Sequence, residues 1–173
     1  MTQTLTIAMA NQTIRFRFAP RVKVNNTGTV SATATSGLLV TYTSMTPSVC
    51  TISGPRVTGK KVGTCTINAD QPGDSSYNAA PQVTQTLTIA KANQTIRFGF
   101  APRVKVNSTG TVSATATSGL AVTYTSATTS VCKVSGTTVT GISAGSCKIL
   151  ANQPGDSSYN AAPQVKKNFA VIK

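Results

Sequence analysis

The chain has 173 residues and a net charge of +13 at pH 7, because 16 Lys and Arg stand against only 3 acidic residues. It contains no histidine and no glutamate, and Asp70, Asp74 and Asp156 provide no carboxylate pair in both halves, so acid–base catalysis is not expected. No apolar run approaches the ~18 residues of a membrane helix, whereas Thr, Val, Ser and Gly dominate, which predicts an all-β chain without membrane insertion.

An internal repeat sets the expected domain organisation. A shift of 82 residues aligns the chain with itself without a gap, and 59 of the 82 aligned residues are identical. We therefore predict two domains, residues 10–91 and 92–173, with almost no linker and stiff coupling between neighbouring repeats. Residues 1–9 match residues 83–91. We expect residues 1–9 to be a closing strand left over from a preceding repeat, which makes the chain a segment of a longer array. In such a segment, the missing signal peptide says little about export.

Each repeat offers about seven short strands, bounded by Gly, Pro and Asn turn signals. In the first repeat, the early strands are predicted at residues 13–18, 21–24, 29–35 and 38–44. In the first of these, alternation places Ile14, Phe16 and Phe18 toward the core and Arg15 and Arg17 toward solvent. All five phenylalanines of the chain fall on positions predicted to face the core, which leaves no exposed aromatic side chain for stacking on bases.

Each repeat holds two cysteines with fourteen residues between them, Cys50 and Cys65, then Cys132 and Cys147. Alternation around them predicts strands with the sulfurs facing the core, and Gly59 predicts a turn. If the two strands are neighbours, each pair can close a disulfide, which implies an oxidising, extracytoplasmic location. The alternatives are a zinc site, although zinc-binding cysteines typically lie about two to four residues apart, and free thiols in a reducing compartment.

A polar stretch at residues 70–81 precedes the last strand of the first repeat. It contains Asp74 and Tyr77, which recur as Asp156 and Tyr159 and are similar to the tyrosine corner of immunoglobulin-like sandwiches. The simpler interpretation is that the aspartate caps a turn. The sequence predicts no catalytic residue, no cofactor and no metal site in either repeat.

The region around the cysteines resembles bacterial Ig-like group 2 domains, which occur as tandem repeats in surface proteins of the invasin and intimin type. The matching residues are Pro47-Ser48-Val49, Val57-Thr58-Gly59, Gly63 and Ile67, and in the second repeat Val139-Thr140-Gly141, Gly145 and Ile149. The family usually has alanine where this chain has its cysteine pairs, and two small facing residues are a suitable place for a disulfide. The resemblance implies two tandem immunoglobulin-like β-sandwiches, each with one disulfide inside the domain.

Basic residues alternate with predicted core residues near the start of each repeat. They are Arg15, Arg17, Arg21 and Lys23 in the first repeat and Arg97, Arg103 and Lys105 in the second. We predict one cationic stripe on the outside of a sheet. The favoured interpretation is that these charges keep exposed strands soluble and unaggregated, and the alternative is that they bind a polyanion.

These observations favour a non-enzymatic module of a long extracellular bacterial surface protein, a rigid spacer that presents a distal adhesive region. The alternative is a module that binds acidic polysaccharide, lipopolysaccharide or extracellular nucleic acid through its cationic face, without sequence-specific recognition of nucleic acid. A third possibility is self-association, in which the orphan strand at residues 1–9 pairs with a sheet edge of another chain.

Overall fold

The protein is described by a computed structural model that covers residue 3 and residues 7–173. The described residues form strands, turns and bridges and contain no helix, so the all-β prediction is confirmed. The chain divides into two compact units, Met1–Ala92 and Asn93–Lys173. The leftover closing strand predicted at residues 1–9 falls mostly on residues that lie outside the described part of the chain.

Nine strands build the described part of unit 1. They are β1 (Ile14–Phe18), β2 (Val22–Lys23), β3 (Thr27–Thr29), β4 (Ser31–Ala34), β5 (Thr41–Ser44), β6 (Cys50–Ser53), β7 (Arg56–Gly59), β8 (Gly63–Asp70) and β9 (Val83–Ala90). The strand predicted at residues 29–35 is interrupted at Val30, whose backbone N–H donates to the Pro55 carbonyl at 2.9 Å. Gly59 ends β7 rather than forming a turn, so that prediction was wrong.

Two layers enclose the core of unit 1. One layer contains two small sheets, the pair β1–β4 and the three-stranded order β3–β7–β6, which the chain links directly because only Val30 separates β3 from β4. The other layer has the order β2–β9–β8–β5. This is the strand arrangement of an immunoglobulin-like sandwich. Fully buried residues from both layers, such as Val57 and Ile67, meet between them, and Thr residues alternate with core residues along β9.

Unit 2 repeats this architecture strand by strand. Its strands are β10 (Ile96–Phe98), β11 (Val104–Lys105), β12 (Thr109–Thr111), β13 (Ala114–Ala116), β14 (Thr123–Ser126), β15 (Cys132–Ser135), β16 (Thr138–Gly141), β17 (Gly145–Asn152) and β18 (Val165–Ile172). One layer combines β10–β13 with β12–β16–β15, and the other has the order β11–β18–β17–β14. Its core is centred on Val112, Val139 and Ile149.

The chain changes layers between β1 and β2. Proline lacks a backbone N–H and fixes φ, so Pro20 ends the pairing of β1 with β4. β2 then pairs in parallel with β9 in the opposite layer, with Val22 beside Ile89. In unit 2, β11 pairs in parallel with β18 in the same way. The first and last parts of each unit are therefore neighbours that run in the same direction.

The prediction that Phe18 faces the core was wrong. Its side chain is 67% exposed, and that of the equivalent Phe100 is 76% exposed. The cause in unit 1 is a register shift between Phe16 and Phe18, which places two residues of β1 opposite Ser31 of β4. Such a β-bulge shifts the alternation of the residues that follow it. Phe16 remains half-buried, packed against Tyr42.

Candidate functional site

A disulfide crosses the core of each unit. Cys50 at the start of β6 bonds to Cys65 in β8, with a Cα–Cα distance of 5.7 Å, and both residues are fully buried. The two cysteine strands are not hydrogen-bonded to each other, because β6 pairs with β7 whereas β8 pairs with β5 and β9, in the opposite layer. The pairing within each repeat is confirmed, and Cys132 bonds to Cys147 with the same Cα–Cα distance of 5.7 Å.

The disulfides decide between the alternatives for the cysteines. All four cysteines are bonded within their own units, so neither a zinc site nor free thiols describes them. Structural disulfides persist in oxidising surroundings and are rare in the cytosol of most organisms. They therefore indicate an oxidising environment outside the cytoplasm.

The polar loop between β8 and β9 is organised by Asp74. One oxygen of its carboxylate accepts hydrogen bonds from the backbone N–H groups of Ser76 at 2.8 Å and Tyr77 at 2.9 Å. Asp156 makes the equivalent bonds to Ser158 and Tyr159 in unit 2, at 2.7 and 2.8 Å. Carboxylates that bond to the backbone two and three residues ahead stabilise turns. The turn-capping interpretation of these aspartates accounts for all of these bonds.

Sequence reasoning missed a buried amide cluster at the start of each unit. The side-chain amide of Gln12, which is only 3% exposed, donates to the side-chain oxygen of Gln71 at 2.7 Å and to the Asn78 carbonyl at 2.8 Å. Gln94 makes the same bonds to Gln153 and Asn160. Buried amides need such partners, and these bonds fasten the incoming chain to the β8–β9 loop. The only signal in the sequence was the exact recurrence of Asn-Gln-Thr ahead of each first strand.

The cationic residues lie on both layers of each unit, so the prediction of one stripe on one sheet was wrong. Arg15 and Arg17 lie on β1, Arg21 follows the layer change, and Lys23 is half-buried on β2 in the other layer. The three arginines are exposed. In unit 2, Arg97 lies on β10, Arg103 precedes β11, and Lys105 lies on β11, all three of them exposed. The layer change at the proline separates the lysine from the first two arginines.

Arg15 and Arg17 share a shallow depression on the outside of unit 1. It has a volume of about 500 Å³ and is lined by these two arginines together with Phe16 and Thr33. Within the described part of the chain, neither guanidinium has an acidic partner in an ion pair. The two positive charges are therefore uncompensated and open to solvent, in a concave part of the surface.

The described residues contain no group of three or more Cys and Asp side chains placed to hold a metal ion. Among the same residues, no helix is long and apolar enough to cross a membrane.

The fold and the bridges define the class of protein: an all-β chain of two immunoglobulin-like sandwich units, each with a disulfide across its core. Comparison with protein-family models and with curated proteins finds no match for this chain.

Proposed function

We propose that the chain is a non-enzymatic segment of a bacterial surface protein of the Ig-like group 2 type, in which the units act as rigid extracellular spacers for a distal adhesive region. The observation that carries the proposal is the parallel pairing of β2 with β9 and of β11 with β18. Because these neighbouring strands run in the same direction, the chain enters each unit at one end and leaves it at the other. That is the connectivity a load-bearing spacer needs.

The same pairing suits a unit that resists tension. A pull on the two ends of unit 1 acts along β2 and β9 in opposite directions, so their hydrogen bonds, including Val24 N–H to the Ala90 carbonyl at 2.9 Å, are loaded together. The disulfide provides a second limit, because it prevents the residues between Cys50 and Cys65 from extending after the sandwich opens. Both features favour a role that transmits force without lengthening far.

Single-molecule stretching tests the spacer proposal. We expect each unit to resist extension up to a distinct force peak and then lengthen in one step. The step should be about 45 Å shorter in the oxidised protein than after reduction, because 15 residue spacings of up to ~3.4 Å are locked behind a bridge that already spans 5.7 Å.

The variant Cys50→Ala with Cys65→Ala is the matched control, and under oxidising conditions it should lengthen the step of unit 1 alone. Extension without a resolved force peak would contradict the spacer role.

A second candidate function, binding of a polyanion, is favoured by the uncompensated arginines of unit 1. Arginine neutralises phosphate and sulfate groups without any dedicated motif, and binding of this kind weakens steeply as salt rises. Arg15 and Arg17 on β1 and Arg21 just after the layer change are all exposed, and such a series of arginines suits an extended anionic chain. Acidic polysaccharide, lipopolysaccharide and extracellular nucleic acid all carry such groups.

Heparin chromatography tests this second candidate. We expect the triple variant Arg15→Ser, Arg17→Ser, Arg21→Ser to lose most of its retention, because it removes the two charges that line the depression and the next exposed arginine along the chain. The matched control Arg56→Ser, Lys60→Ser, Lys61→Ser removes three exposed charges from β7 and the turn after it. Equal losses in the two variants would show that retention reflects net charge alone, and would count against a binding face.

A further inference from the structure

An exposed phenylalanine lies beside the cationic depression of unit 1. Phe18 is 67% exposed, although the neighbouring Phe16 is packed into the sandwich. Phe100 occupies the equivalent position of unit 2 and is 76% exposed. An aromatic ring held in water adds little to the stability of its own unit, yet it is present in both repeats. The ring is therefore available to a ligand.

The pairing of β1 with β4 places this ring on the same face as the arginines. Arg15 is opposite Thr33, and Phe18 is opposite Ser31, two residues along β4. Residues two apart on a strand point to the same side and are separated by roughly 6.6 Å. Ser31 and Thr33 are both exposed, so this face carries hydroxyl groups on β4, across from the ring and the guanidinium.

The bulge brings Arg17 to the same face of the β1–β4 pair. Arg17 and Phe18 together oppose Ser31, and Arg17 lines the depression with Arg15. Two guanidinium groups, two hydroxyls and one exposed aromatic ring thus lie within a few residues on one edge strand and its neighbour. No acidic residue occurs among residues 10–69, so the local charge is wholly positive.

We propose that Arg15, Arg17 and Phe18 form a binding site for single-stranded nucleic acid. A base would stack on the ring of Phe18, while the guanidinium groups of Arg15 and Arg17 would contact phosphates on either side. Stacking tolerates any base, so the site would not select a sequence. In a duplex the faces of the bases are already stacked on each other, which favours single strands. The inference rests on the second candidate function and narrows the ligand from polyanions in general to single-stranded nucleic acid.

Unit 2 supplies a natural comparison. Arg97, Phe100 and the hydroxyl residues Ser113 and Thr115 correspond to those of unit 1, but Gly99 stands where unit 1 has Arg17. The second site therefore keeps the ring and one guanidinium and lacks the other. We expect it to bind the same ligand more weakly, with one fewer phosphate contact.

Fluorescence anisotropy with a labelled oligothymidylate of about 20 nucleotides tests the proposal. We expect the double variant Phe18→Ala, Phe100→Ala to weaken binding at least ~5-fold, which corresponds to ~1 kcal/mol for a stacked base. The retention of this double variant on heparin should stay unchanged, because stacking on the ring contributes nothing to the binding of heparin. Arg17→Gly should weaken binding and lower the salt dependence of log K by about 0.7, the value for one phosphate contact on a single strand.

Leu39→Ala is the matched control, because Leu39 is 84% exposed and unit 2 already has alanine there. It should leave oligothymidylate binding unchanged, and the urea midpoints of all variants should match that of the parent. Oligothymidylate binding that is insensitive to the phenylalanines, or a duplex bound as tightly as the single strand, would overturn the proposal. A parallel loss of heparin retention would instead assign the ring to a polysaccharide. If the triple variant Arg15→Ser, Arg17→Ser, Arg21→Ser is retained on heparin as strongly as the parent, the polyanion function itself fails.

Discussion

Removing the Cys50–Cys65 bridge is expected to lower the free energy of unfolding of unit 1 by about 3 kcal/mol. The bridge spans 15 residues, and closing a loop of that length restricts the unfolded chain by this amount in the chain-entropy model. The expected loss is large because a small domain is stable by only ~5–15 kcal/mol in total. The variant is Cys50→Ala with Cys65→Ala, and urea unfolding followed by far-ultraviolet circular dichroism measures the change.

Alanine is the suitable replacement at both positions because the neighbouring hydroxyls keep their partners. The Ser44 hydroxyl lies 3.3 Å from the sulfur of Cys50, but it also donates to the Cys50 carbonyl at 2.9 Å. The Thr46 hydroxyl accepts from the Thr66 backbone N–H at 3.0 Å. Both hydroxyls therefore keep a hydrogen bond when the sulfurs are removed.

The equivalent variant in unit 2 is the control for this prediction. Cys132→Ala with Cys147→Ala opens a bridge of the same separation and the same complete burial, so we expect a loss of the same size. A loss below ~1 kcal/mol in both variants would mean that the bridges do little for stability, since their loop-closure term alone should be about three times larger.

Gly59→Ala is expected to destabilise unit 1 by about 1–3 kcal/mol, the usual cost of overpacking a tight core. A Cβ at this position would lie 2.6 Å from the Lys23 carbonyl oxygen and 2.8 Å from a methyl group of Ile89. The first of these neighbours is backbone and cannot rotate away. The strand β7 would have to separate from β2, which would weaken the parallel pairing of β2 with β9.

Thermal unfolding of the Gly59→Ala variant, compared with that of a Lys60→Ala control variant, measures this effect. Lys60 is exposed and adjacent, so its replacement should change the free energy of unfolding by no more than ~0.5 kcal/mol. Gly141→Ala should reproduce the loss in unit 2, because its Cβ would lie 2.5 Å from the Lys105 carbonyl oxygen. If Gly59→Ala is as stable as Lys60→Ala, the close approach of β7 to β2 does not limit the packing.

The position of Gly59 shows where sequence reasoning misjudged a residue. A glycine between two predicted strands indicates a turn, and this holds for Gly54, which has a positive φ of 52°. Gly59 lies at the end of a strand, and it is required for the space it leaves to a neighbouring backbone. The local sequence contains no information about that neighbour, because Lys23 is far away along the chain.

In the candidate site, too, the local sequence predicted some features and the fold decided others. Alternation correctly placed Arg15 and Arg17 in solvent, and the equal spacing of the cysteines correctly paired them within each repeat. The alternation pattern failed at Phe18, because the bulge arises from how β1 fits against β4 and around the layer change at Pro20. A single residue added to one strand shifts the alternation that follows, and a sequence pattern of period two does not reveal the shift.

The sequence by itself determined that the chain is all-β, that it consists of two equivalent halves and that each half contains one cysteine pair. These properties follow from composition, from strand periodicity and from self-similarity, which are all read along the chain. Only the tertiary structure decided that the disulfides join opposite layers, that the second strand of each unit pairs in parallel with its last strand and that Phe18 is exposed. Each of these depends on which distant strands become neighbours, and that choice is made by burying the whole core at once.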